Sequence, residues 1–98
     1  MKLFKEKVFS LEMGFSRKEF ITLLEGQNKL MYQRDENIID FTMNDQQALV
    51  TLGEEGVRRI ASAQIPLLFV NFDFSNMGDD EQAAFMKIFL LKFQRGGG

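Results

Sequence analysis

The chain has 98 residues, 45% hydrophobic and 27% charged, with a net charge of -2 and neither histidine nor cysteine. That size and balance specify one folded domain, read over residues 1–95, and exclude a disordered chain or a second independent core. Without Cys or His there are no disulfides, thiol nucleophiles, Ser-His-Asp or Cys-His centres, or His- or Cys-based metal sites; no cofactor or metal is expected, and the cytosol is the expected compartment.

The longest apolar runs, around residues 65–70 and 88–91, are far shorter than the roughly 20 residues that span a bilayer. Met1-Lys2-Leu3-Phe4-Lys5-Glu6-Lys7 is basic but leads into an alternating segment and no continuous apolar run, so neither a membrane span nor a secretory signal is predicted. Phe9, Leu11, Met13 and Phe15 then alternate with Ser10, Glu12 and Gly14, the period of a strand with one buried face. Ser16-Arg17-Lys18-Glu19 fits a capping box, and Phe15 with Phe20 fits a hydrophobic staple, so a helix begins at Ser16. Its stripe is Phe20, Leu23 and Leu24, and Gly26 is read as a left-handed C-terminal cap.

From Lys29 the period returns to two. Leu30 and Tyr32 lead to a break at Arg34-Asp35-Glu36-Asn37, with Ile39, Phe41 and Met43 on the far side, which reads as a hairpin. After Asn44-Asp45-Gln46 a further strand holds Ala48, Val50 and Leu52, and Gly53-Glu54-Glu55-Gly56 is read as the tight turn that closes it. Residues 57–63 suit a helix turn or a strand, with strand preferred, and Pro66 belongs at a bend, bulge or edge. Leu68, Val70, Phe72 and Phe74 face a core from one strand. Asp79-Asp80-Glu81 suits the positive end of a second helix, predicted from about residue 79 to residue 95, with Phe85, Ile88, Phe89 and Phe93 on one face. The fold class is therefore α+β: a single antiparallel meander sheet of five or six strands with two helices on one face, in the order β-α-β-β-β-(β)-β-α. Residues 96–98 read as a flexible glycine tail.

Several patterns that suggest chemistry fail on their details. Asp40 and Asp73 are the candidate acid–base pair, but each is out of phase with its large apolar neighbours and is expected on the solvent face. Gly53-Glu54-Glu55-Gly56 has the spacing of the GXXG loop of KH domains, yet two glutamates would face phosphate. With six carboxylates and no Lys or Arg between residues 35 and 55, nucleic acid is not an expected partner. Gly96-Gly97-Gly98 resembles the diglycine end of sulfur carriers and ubiquitin-like modifiers over two residues only. Those tails leave a strand, whereas this one follows a helix.

What remains is an apolar surplus of eleven Phe and six Met. Leu67 and Phe69 fall on the outer side of their strand, and Leu90 and Leu91 on the flanks of the second helix. An uncovered apolar patch marks an interface, so the sequence points to a non-catalytic protein-interaction module. It docks a protein partner, or self-associates as a homodimer, through Leu67, Phe69, Leu90 and Leu91. The alternative is an apolar small-molecule site between the second helix and the sheet, lined by Met13, Met43, Phe72 and Phe85.

Overall fold

A computed structural model describes residues 6–93. Seven elements follow in the order β1 (Val8–Met13), α1 (Arg17–Gly26), β2 (Met31–Asp35), β3 (Ile38–Met43), β4 (Gln46–Ile60), β5 (Ala63–Asp73) and α2 (Asp79–Lys92). The five strands form one antiparallel sheet in the order β1-β5-β4-β3-β2. Strands β2 to β5 are a meander of tight hairpins, and α1 carries the chain from β1 at one edge to β2 at the other. This is the α+β architecture expected from the alternating periods. The helical residues expected beyond Phe93 and the glycine tail lie outside the described residues.

Both helices cover the same face of the sheet. Phe20 and Leu24 of α1 and Phe85, Met86 and Phe89 of α2 are buried with Ile39, Phe41, Val50, Leu52, Val70 and Phe72 of the strands. Aromatic rings fill much of that layer. Phe89 stacks on Phe93 at 4.4 Å and meets Phe72 edge-on at 5.1 Å, while Phe20 stacks on Phe93 at 4.7 Å. Such pairs add about 0.5–1.5 kcal/mol each beyond the area they bury, which explains how a cysteine-free chain of this size holds one core.

The entry to α1 follows its local sequence. Ser16 Oγ accepts from the Glu19 amide at 3.1 Å, and Glu19 Oε1 accepts from the Ser16 amide at 2.9 Å, completing the capping box. The rings of Phe15 and Phe20 lie 5.8 Å apart as the staple. The exit differs from expectation. Gly26 does not adopt the left-handed cap; the helix ends in extended backbone at Gln27, whose amide donates to the Leu23 carbonyl at 3.2 Å. The Gln27 side chain donates to the Leu30 carbonyl and accepts from the Leu30 amide, so a side chain closes this terminus where a glycine was expected.

A second correction concerns residues 53–56, which form no turn. Strand β4 runs unbroken from Gln46 to Ile60, and its register against β5 shifts between Leu52 and Glu55. Gly53 and Glu54 together oppose the single residue Phe69, a β-bulge. Gly53 sits close against the facing strand: a Cβ there would stand 3.1 Å from the Phe69 carbonyl oxygen and 3.5 Å from the Phe69 Cβ, a tight fit. The turn lies instead at Ala61 and Ser62, with Ala61 at φ 54°.

A polar clasp at the other end fixes the start of α2. Gln82 is the buried polar side chain of the described residues. Its Nε2 donates to the Glu6 carbonyl at 2.8 Å, and its Oε1 accepts from Lys7 Nζ at 3.0 Å. Lys7 Nζ also donates to the Met77 carbonyl at 2.6 Å and pairs with Asp79 at 3.0 Å. The buried amide is thus satisfied on both sides, as burial requires.

Candidate functional site

The bulge changes what each residue of β4 faces. Before it, Ala48, Val50 and Leu52 point into the core; after it, Glu55 pairs with core-facing Leu68 and Gly56 with Leu67. Arg58 and Ile60 therefore join the side of the sheet that neither α1 nor α2 covers, because one inserted residue inverts the alternation. The β3 ladder onto β4 ends at Thr51, and the β1 ladder onto β5 ends at Leu68. Among the described residues, 56–67 consequently pair only with each other, as a two-stranded arm projecting past the sheet. Residues 54–64 are all exposed.

Two contacts orient the arm at its base. Arg17, in the first turn of α1, donates from Nη2 to the Gly53 carbonyl at 2.6 Å, and both its amide and Nη1 reach the Glu55 carboxylate at 2.8 and 3.1 Å. The bulge carbonyl is thereby tied to the helix N-terminus, where the carboxylate also suits the helix dipole. Further out, Arg58 pairs with Glu12 of β1 at 2.9 Å. Both of these side chains are about half exposed, a setting in which an ion pair contributes about 0–1 kcal/mol and is easily exchanged.

The uncovered face is rich in apolar groups. Nine large hydrophobic side chains among the described residues are exposed, and six of them stand on this one face: Val8, Met31, Ile38, Leu49, Ile60 and Phe69. Phe69 is 37% exposed at the level of the bulge, near the middle of the long β4–β5 ribbon. Leu67 is half-buried on the same face. Leu90 and Leu91, at 39% and 61% exposure, belong to the helical layer, so the four residues singled out from the sequence lie on two separate surfaces. Leu90 lines a groove of about 360 Å³ with Leu11, Met13, Phe15, Ile65 and Phe93, beside the end of β1.

Asp40 and Asp73 do stand near one another. Both pair with Leu49, from the strands on either side of it, and all three line a shallow depression of about 240 Å³ with Gln47 and Asn76. Two strand spacings separate the carboxylates by roughly 10 Å, too far to share a proton. The Ser75 hydroxyl and amide hold the Asp73 carboxyl below the usual aspartate range, the opposite of the shift a general acid needs. The pair is a fixed patch of negative charge.

The residues proposed for an apolar cleft fall elsewhere. Met13, Phe72 and Phe85 are buried in the core cluster and Met43 packs against its margin, with Phe41 and Phe85 in edge contact at 5.1 Å. Only Met13 reaches the groove. Among the described residues no group of three or more Asp or Glu is placed to hold a metal ion, and no helix is long and apolar enough to cross a membrane. Comparison with protein-family models, curated proteins and solved structures finds no match to this chain.

Proposed function

We propose that the protein is a non-catalytic interaction module that self-associates through the uncovered sheet face and the β4–β5 arm. The observation that carries this reading is the concentration of exposed apolar side chains on one face: six of the nine large ones among the described residues. A two-stranded ribbon is marginal by itself in water, so an arm of twelve residues, 56–67, gains from a partner that covers it. Leu67 and Phe69 belong to this surface; Leu90 and Leu91, in the helical layer on the other side of the sheet, do not. A chain without cysteine suits the cytosol as the setting for this assembly.

Sedimentation equilibrium at micromolar concentration tests the reading. Wild type is expected at twice the monomer mass, and Phe69→Asp at the monomer mass with its secondary structure intact. A wild-type chain that remains monomeric up to about 100 μM, a Kd weaker than about -5.5 kcal/mol of association free energy, would remove self-association.

A second reading rests on the groove beside β1. Its lining is almost entirely apolar and its volume, about 360 Å³, is at the small end of ligand sites. A fatty acid or other apolar ligand held there raises the thermal midpoint of wild type by mass action and leaves Leu90→Asp unmoved. Equal midpoints with and without such ligands would remove this reading.

A further inference from the structure

Charge is divided between the arm and the sheet. Residues 56–67 contain Arg58 and Arg59 and no carboxylate, in a chain whose net charge is -2, which leaves -4 on the remainder. On the open face the opposite charge is concentrated where Asp40 and Asp73 flank exposed Leu49. One surface thus carries both a basic projection and an acidic, apolar-floored receptor, separated along the same strand.

We infer that two copies pack open face to open face, antiparallel, so that the arm of each brings Arg58 over the Asp40–Leu49–Asp73 row of the other, with Arg59, on the opposite side of the arm, adding to its positive charge. This rests on the self-association proposed above and specifies its geometry. A two-fold axis through the middle of the ribbon falls beside Phe69. It carries Arg58 of one copy to the level of Leu49 of the other, because the bulge residues 53 and 54, opposite Phe69, lie midway between 49 and 58 on β4. A second copy offers Arg58 two carboxylates in exchange for the half-exposed pair with Glu12 and covers the acidic row in the same contact, which a partner with a surface of one sign does not.

Area supports the same arrangement. Five strands spaced by about 4.8 Å and about six residues long make a face of roughly 24 × 20 Å, near 500 Å² in projection. A stable interface buries about 800 Å² per partner. The arm contributes about another 200 Å² by the same spacing, so the face approaches interface size only when the arm takes part. Backbone pairing along the outer edge of the arm is disfavoured. Pro66 lies where β5 has passed the end of β1 and offers no amide donor to a strand added on that side.

The test is a charge exchange read by sedimentation equilibrium of the full chain. The double variants R58E/R59E and D40K/D73N are each expected to weaken self-association by about tenfold or more; Asn at 73 keeps an acceptor for the Ser75 amide. An equimolar mixture is expected to recover the dimer. In the mixed pair the arm made acidic meets the row made basic on one side, and the native arm meets the native row on the other. If both variants dimerise as wild type does, or if both weaken and the mixture does not recover, the arm-to-row contact is wrong while self-association stands. A monomeric wild type overturns both. Circular dichroism melts verify folding, and where a variant melts early, R58Q/R59Q and D40N replace the reversals, with weakened association expected of each.

Discussion

The two faces of this sheet are made of the same strands yet have opposite fates. On one, every large side chain from Ile39, Phe41, Val50, Val70 and Phe72 is sealed beneath two helices; on the other, Ile38, Leu49 and Phe69 alternate with them and remain in water. Antiparallel sheets commonly leave one face solvated, and the usual outcome is a polar outer face. Here that face is mixed, with Ser10, Asn71, Thr51 and Asp40 set among the apolar groups. The comparison separates what holds the fold from what is free to bind.

The largest difference between the faces is expected in stability. Phe89→Ala removes a fully buried ring that touches Phe20, Phe41, Phe72, Phe85 and Phe93. It should lower the unfolding free energy in urea by about 3–5 kcal/mol. Phe69→Ala, on the open face, should change it by less than about 1 kcal/mol at concentrations where the protein is monomeric. Comparable losses would mean that the open face is covered within a single copy. The polar clasp lies between these extremes: Gln82→Leu leaves Lys7 Nζ and the Glu6 carbonyl without their amide partner, a loss of about 1–3 kcal/mol measurable in the same titration.

Smaller effects sharpen the local picture. Ser16→Ala removes the cap of α1 and should cost about 1 kcal/mol. Ala61→Gly relieves a left-handed residue at the tip of the arm and should stabilise by up to about 1 kcal/mol; a loss there would show that the turn is not as described. Asp73 gives the smallest signal. Its folded carboxyl titrates below the ordinary aspartate range, so its contribution is complete above that range and is lost as pH falls through the folded value. Asp73→Asn is expected to flatten the acid limb of the stability profile below about pH 4, with a slight loss at neutral pH where the carboxylate's contribution was complete.

Where the determinants were local, the sequence was sufficient. Ser16 and Glu19 specify the start of α1 through atoms three residues apart, and the period of two in Leu68, Val70, Phe72 and Phe74 places a buried strand. Residues 53–56 misled because two glycines around two glutamates carry turn chemistry, while the bulge they form is defined by Phe69 on another strand. For the same reason Arg58 and Ile60 could not be assigned to the outer face, since their phase depends on the inserted residue. Gln82 and Lys7 are 75 positions apart and carry no pattern in the chain. Phe69 was legible as an odd-phase aromatic in an alternating strand. Ile38 and Leu49, each beside an apolar residue of opposite phase, were not singled out, because their weight comes only from standing on one surface.

The central claim is that the open face, with its arm, is the surface that meets a second copy. Nuclear magnetic resonance spectra recorded at rising protein concentration, across the micromolar to millimolar range, test it directly. Side-chain signals of Ile38, Leu49, Ile60 and Phe69 should shift together as the concentration climbs, and those of Ile39, Phe41, Val50 and Phe72, on the helix-covered face, should hold still. Shifts confined to Leu90 and Leu91, or none across the range, would contradict it.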